Sequence, residues 1–423
     1  MVQLTSDCFA FGGKLTRIDE ALKSILDSLA VKKETEQISL NRSLNKILAE
    51  DVIAAQNVPA DNNSAVDGYS VFFDDLNETG STELPVIGKA AAGRPLNGVQ
   101  KRGEAVRIFT GAVMPNGAHP EAPDTVLMQE DIQFENEKVI IPPGIKRGSN
   151  RRLLGEDIAA GTRVLEAGTR LRPQDIGLAA ATGKVSLSVR KPLRVAVFST
   201  GDEVIDPGEE LARGKIYDSN RFTLLNLLTT LGCEVEDIGI IPDDPALIEK
   251  AVSSSTQQKD LIITSGGVST GDEDHVKNFI EKTGELLFWR LAIKPGRPVA
   301  LGHLKEAFFI GLPGNPVAAM VTFLKIARPI ILHLSGARNI YPRPFIGQAD
   351  FDYAKKPERK EFVRVKVRED KTEGLVFRKY EKEGAGILSS LVFADGLVEL
   401  PEEAIKIRRG DTVRYFPFSE FGI

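Results

Sequence analysis

Cysteine and histidine are scarce in this chain of 423 residues: two cysteines, Cys8 and Cys233, and four histidines, at 119, 275, 303 and 333. The cysteines stand far apart in unrelated contexts, which argues against a disulfide framework and against a CxxC metal site. Histidines so scattered give no reason to expect a zinc centre. No apolar run reaches the roughly eighteen residues that a membrane span needs, so no membrane partner is expected. The opening residues, MVQLTSDCFAFGG, lack a basic stretch followed by an apolar one, so no secretory signal is expected either. An excess of positive charge is missing too: 54 Lys and Arg against 59 Asp and Glu leave a net charge of -5, which makes nucleic acid an unlikely main partner. The expectation is a reduced, cytoplasmic protein of ordinary globular composition, 42% hydrophobic and 27% charged.

What is present is a change of rhythm along the chain, which is too long for one ordinary core. LTRIDEALKSILDSLA reads as an amphipathic helix capped by Thr16, with Ile18, Leu22, Ile25, Leu26 and Leu29 on one face. From Asp51 to about Ile145, short β-like runs are broken by Gly, Pro and Asn. A second helical piece follows from Arg172, with Pro173 near its start. Pairing of the two flanking helices would make the β-rich segment an insertion. From Leu193, strands alternate with helices: RVAVFST, EVEDIGII and DLIITS lead into helices, a helix is expected near residues 276–282, LLFWRLAI and AFFIGLP follow, and a long helix begins at Pro316. That order predicts a largely parallel sheet. Beyond Tyr341 the alternation of Val363, Val365 and Val367 with Arg364, Lys366 and Arg368 opens a C-terminal β domain. The expected division is 14–50 with 146–185 as a linking domain, 51–145 as the inserted β-rich domain, 186–336 as the α/β domain and 340–423 as a small β-barrel.

Ligands of a parallel sheet gather at the carboxyl ends of its strands. Three strand ends here carry acids: Asp202 and Glu203, then Asp243 and Asp244, then Asp272, Glu273 and Asp274 in SGGVSTGDEDH. Acids in a first helical turn also suit the helix dipole, so any one of these loops has a plain structural explanation. Three in succession favour a hard cation such as Mg²⁺ shared with a phosphate, because clustered carboxylates repel one another. The Ser-Gly-Gly and Ser-Thr-Gly elements add backbone N–H groups that can meet an anion. IKPGRP contributes Lys294 and Arg297 on a stiff turn, and GLPGNP enters a helix through Asn315 and Pro316. In DNNSAVDGYS, Asp61 and Asp67 by composition read as turn residues.

The motifs DNNSAVDGY, RIFTGAVMP, VLMQED, GEDIAAGTRV, FSTGDEV, IYDSNR, SGGVSTGDEDH, LAIKPGRP and GLPGNP occur in this order. Each is modestly specific; the ordered series closely resembles the molybdopterin molybdenumtransferases, molybdenum-insertion enzymes of molybdenum cofactor synthesis related to the E domain of gephyrin. The resemblance implies a multidomain α/β plus β chain. Its central α/β domain would be similar to molybdopterin adenylyltransferase and its last domain a small β-barrel. It implies a homodimer with the active cleft at the dimer interface, substrates adenylylated molybdopterin and molybdate, Mg²⁺ as cofactor, release of AMP, and a transient contact with the adenylyltransferase.

Mapped motif by motif, the resemblance implies functional roles for Asp67, Thr110, Glu203, Asp243 and Asp274, with Glu203, Asp243 and Asp274 as metal ligands. Implied substrate contacts are Ser265, Gly266, Gly267, Ser269, Arg290, Lys294, Pro295, Pro313, Asn315, Pro316 and Arg364. Asp67 would reach the α/β domain of the other subunit. The chain departs from the family pattern at Ala318 and Ala385, where relatives often carry serine. Each lost hydroxyl removes an oxyanion donor worth about 1 kcal/mol net. Residues 118–123, AHPEAP, read as a small insertion. Cys233 is expected to be buried packing. Two rival readings use the same α/β module: another nucleotide or pyrophosphate enzyme, or a pterin-binding scaffold without catalysis.

Overall fold

In the computed structural model, residues 15–118, 120–256, 258–268, 279–280, 282, 284–304, 307–371 and 374–423 are described. The sheet that positions the site has strand order Glu234–Ile241, Arg194–Thr200, Leu261–Ser265, Ala307–Leu312, Pro298–Leu304, Glu285–Arg290. The first four run parallel. The last two are antiparallel, so the expected parallel sheet carries a hairpin edge, and Pro298–Leu304 is a strand that the sequence pattern did not single out.

The central strand RVAVFST is buried on both faces, as a strand covered by helices on each side must be. Val195, Val197, Leu261 and Ile263 face one core with Leu224, Leu228, Ile330 and Ile331. Ala196, Phe198, Ile262 and Phe309 face a second core with Ile248 and Val252.

The first helix runs Ile18–Ser28 and buries Ile18, Ala21, Leu22 and Ile25. Its N-cap is Arg17 with no side-chain cap bond. Thr16 does not cap it, because its main chain is spent on the sheet edge, donating to Arg290 O at 3.4 Å and accepting from Ala292 at 2.8 Å. Nor does this helix pair with the one at Pro173–Ala181. Its apolar face belongs to the α/β core beside Ile330 and Leu334, whereas Ala179 lies in a separate cluster with Leu48, Leu171 and Val189. The two flanks of the β-rich segment meet through strands instead: Thr35–Ser39 pairs antiparallel with Ser186–Arg190, and Val52–Ile53 with Arg163–Leu165. Between them stands a six-stranded sheet spanning residues 68–141.

The C-terminal region closes into a five-stranded barrel: Lys360–Asp370, Gly374–Lys379, Phe345–Ala349, Thr412–Pro417 and Gly396–Leu400, the last pairing back onto the first. Its residues Phe362, Leu397 and Phe416 join the core of the α/β sheet, so barrel and sheet are packed together.

One stretch, Pro316–Leu334, is long and apolar enough by length and composition to cross a membrane, with mean hydropathy 1.6. This corrects the expectation that none reaches that length. The stretch is a core helix, 83% of that window being buried inside the protein. The expected helix near 276–282 lies mostly outside the described residues.

Candidate active site

Two adjoining clefts lie where the sheet meets the barrel. The first, about 600 Å³, opens at the carboxyl ends of the parallel strands and is lined in part by Thr200, Glu203, Asp243, Ser265, Gly266 and Asn315. Strand Arg194–Thr200 delivers Glu203 just past its end, and strand Glu234–Ile241 delivers Asp243. The two acid-bearing loops touch, the Asp243 N–H donating to Asp202 Oδ1 at 3.2 Å. After strand Leu261–Ser265, Gly266 and Gly267 both take positive φ, +94° and +65°. A side chain at 266 would press to 2.5 Å of Thr200 O, so glycine is required for the loop to turn over the cleft floor. The Ser265 hydroxyl faces Pro313 O at 3.3 Å and accepts from Asn220 Nδ2 at 2.8 Å; Asn220 also donates to Gly314 O at 2.7 Å. Asn220 thus staples the Ser-Gly-Gly loop to GLPGNP. The motif IYDSNR contains it, but sequence reading assigned it no role.

The second cleft, about 410 Å³, is shared between the IKPGRP loop and the barrel and is strongly basic. Lys294, Pro295, Arg297, Arg359, Arg364 and Lys379 line it, with Pro313 and Asn315. Glu361, 1% exposed, organises the charges of the cleft's lining residues. It pairs with Lys294 at 3.1 Å and with Arg359 at 2.8 Å, and accepts from the Tyr353 hydroxyl at 2.8 Å. Lys294 Nζ in turn donates to that hydroxyl at 3.0 Å. Burial, then the neighbouring Glu361 charge, raises the tyrosine's pKa, so it stays a neutral phenol. Arg364 is fixed by Ser390 Oγ at 3.1 Å and Gly384 O at 3.2 Å, and burial lowers its pKa from the usual guanidinium value. Tyr353, Arg359 and Glu361 were missed by motif reasoning, since only folding of the barrel brings them beside Lys294. Ala318 and Ala385 both line this cleft and offer it no side-chain hydroxyl.

The wall between the clefts is common property: Pro298, Pro313 and Asn315 line both. Pro316 starts the core helix on the strand-end side, and the N–H of Val317 donates to Ala385 O of the barrel at 2.9 Å.

The remaining expected residues fall elsewhere. Arg290 ends the edge strand and lines neither cleft. Asp67 and Thr110 also line neither, but they form a unit of their own: Asp67 Oδ1 accepts from the N–H and the hydroxyl of Thr110, both at 2.8 Å. Those two bonds, the backbone one first, hold the Asp67 carboxyl below its ordinary pKa, so it is an anion presented at the surface. Ser269 and Asp274 lie outside the described residues. Cys233 packs beside the sheet core, and burial pushes its thiol up to about 12, which makes it inert.

Among the described residues no group of three or more His, Cys, Asp or Glu could by itself hold a metal ion. Mg²⁺, however, is commonly held by only one or two carboxylates together with substrate phosphates. Glu203 and Asp243 on the strand-end cleft fit that donor set.

An α/β sheet with acids and a glycine turn at its strand ends, abutting a basic pocket shared with a barrel, defines a two-cleft α/β-plus-barrel protein whose charges suit an anionic ligand. Residues 196–333 match the family described as "Probable molybdopterin binding domain", which places that sheet in the molybdopterin-binding class. Residues 16–183 match "MoeA N-terminal region (domain I and II)" and residues 347–418 "MoeA C-terminal region (domain IV)". A molybdopterin molybdenumtransferase of Haemophilus influenzae is 39% identical over 95% of this chain and 98% of its own length. One from Staphylococcus aureus is 31% identical over 89% of each. The crystal structure of a molybdopterin biosynthesis protein, moeA, from Pyrococcus horikoshii superposes with a TM-score of 0.82 at 29% identity, covering 96% of this chain and 100% of that one. The chain belongs to the molybdopterin molybdenumtransferase family, transferases of molybdenum cofactor biosynthesis.

Proposed function

We propose that this chain transfers molybdenum from molybdate to adenylylated molybdopterin and releases AMP. The pair of clefts sharing Pro298, Pro313 and Asn315 carries the reading. A ligand lying across that wall has its pyrophosphate by the Ser265–Gly266–Gly267 amides and its reactive end at the cationic pocket. There Lys294 and Arg364, with Arg359 beside them, meet a tetrahedral dianion. When bound, Mg²⁺ would neutralise charge on the phosphate oxygens and so favour cleavage of the P–O–P bridge; Glu203 and Asp243 would hold it, with Asp274 as a third ligand. The protein itself supplies no nucleophile: a water oxygen bonds to phosphorus as the P–O–P bridge to AMP breaks, and the metal of molybdate bonds to the two pterin thiol sulfurs as one of its oxygens leaves as water with their two protons. Arg290 belongs to the same anion field in this reading, and Ser269, Pro295 and Pro316 to the substrate contacts.

The reading extends to a homodimer in which Asp67 and Thr110 of one copy complete the cleft of the other, because neither lines a cleft in its own chain. It includes the four-part division at 14–50 with 146–185, 51–145, 186–336 and 340–423, and a transient contact with molybdopterin adenylyltransferase.

Purified protein given adenylylated molybdopterin, molybdate and Mg²⁺ is expected to release AMP. Asp243→Ala should cut that rate on the order of 100-fold, the usual loss when charge stabilisation at a reacting group is removed. Pterin nucleotide bound with no AMP released under any divalent metal would leave only a binding role.

A further inference from the structure

Arg221 is the most enclosed arginine beside the strand-end cleft, 4% exposed, and it lines neither cleft. It sits in the first turn of helix Asn220–Thr230 and meets three carboxylates. Its Nε donates to Asp218 at 3.1 Å, its Nη1 to Asp237 at 2.5 Å, and its Nη2 to Asp206. Its own N–H also donates to Asp218 Oδ1 at 3.0 Å.

Those three partners mark one loop and one strand. The chain leaves the sheet at Thr200, carries Glu203 out, and forms a small parallel pair, Val204–Ile205 with Ile216–Tyr217, before returning at Asp218. Asp206 follows the outgoing strand of that pair and Asp218 the returning one. Asp237 lies on strand Glu234–Ile241, at the register shift opposite Val197/Phe198, and upstream of Asp243. One guanidinium therefore ties the loop of Glu203 to the strand that delivers Asp243.

We propose that Arg221 is a positioning residue for the cation: by bonding Asp206, Asp218 and Asp237 at once it fixes the spacing of Glu203 and Asp243, which line the strand-end cleft with Asp218. It touches neither metal nor substrate, and the inference rests on the cation reading given above. Lysine keeps the charge but has no planar fork to serve three acceptors, so Arg221→Lys isolates geometry from charge.

The test uses the full chain with Mn²⁺ as probe and inorganic pyrophosphate present, free Mn²⁺ being followed by electron paramagnetic resonance. Arg221→Lys should weaken Mn²⁺ binding roughly tenfold, as loss of a residue supporting metal ligands does. Its AMP release should recover at high Mg²⁺, which a merely unfolded protein would not do. Asp237→Asn, whose carboxylate is 38% exposed and whose loss the fold tolerates better, should shift affinity the same way by a smaller factor. If Arg221→Lys does not fold, Asp237→Asn decides. Unchanged Mn²⁺ affinity in a folded variant overturns the clamp alone. No Mn²⁺ bound by the unsubstituted chain overturns the cation reading beneath it.

Discussion

A methyl group at position 266 would collide with Thr200 O, and its φ of +94° is strained for any L side chain. Gly266→Ala is therefore expected to destabilise by about 1–3 kcal/mol, read as a lowered thermal midpoint, and to depress AMP release because the loop can no longer turn over the cleft floor. A variant that melts with the wild type would show that the loop relaxes freely. At this scale the sequence was informative wherever chemistry is local. A glycine pair after an apolar run, acids two or three residues past a strand and a lysine on a Pro-Gly turn all line the clefts. What stayed hidden were residues whose partners are distant in sequence. Arg221 pairs with Asp218 three residues away, but Asp206 and Asp237 reach it only through the fold. Tyr353 and Glu361 likewise meet Lys294 only once the barrel packs on the sheet.

The stretch from Pro316 to His333 reads as one long helix, and the fold has it to Leu334, except that residues Phe323–Ala327 form a π turn. The periodicity gave no sign of this, because the extra residue changes the turn without changing which residues are apolar. Lys325 sits in that turn and is buried over the Phe416 ring, 3.7 Å from its centroid, with Glu399 at 3.4 Å. Burial first of all brings its ammonium down to about 8, against the attraction of Glu399. A lysine depressed on folding binds fewer protons than the unfolded chain between about pH 8 and the ordinary lysine value of 10.5, so stability from this group rises with pH across that window. Below pH 8 the full cost of the buried charge is present. Thermal midpoints should climb from pH 8 to 10 in the native chain, and Lys325→Met should flatten that climb. A slope that survives the substitution would place its origin elsewhere.

For the whole molecule, the sequence rhythm foretold an α/β unit, a β-rich segment and a terminal barrel. The expected pairing of the first helix with the one at Pro173 is not what the fold shows: that helix packs on the α/β sheet although its chain neighbours belong to the strand pairs. Amphipathicity says that a helix needs a partner and not which one. The placement of Asp67 and Thr110 away from both clefts bears on assembly. If two copies share each site, Asp67→Ala and Glu203→Ala chains, each inactive alone, should recover activity when unfolded and refolded together. Half the dimers are then mixed and each mixed dimer has one intact site, so about a quarter of native activity is expected. No recovery with dimers formed would confine the site to one chain.

The bond from Val317 to Ala385 O joins main chain to main chain. The offset between the barrel wall of the basic cleft and the start of the core helix is thus set by groups that do not depend on side-chain identity. Val317 is still held by the core in which its side chain is buried, whereas position 385 can change its side chain without breaking that bond. An alanine at 385 therefore alters what the basic cleft offers a ligand and leaves the seam between barrel and helix where it was.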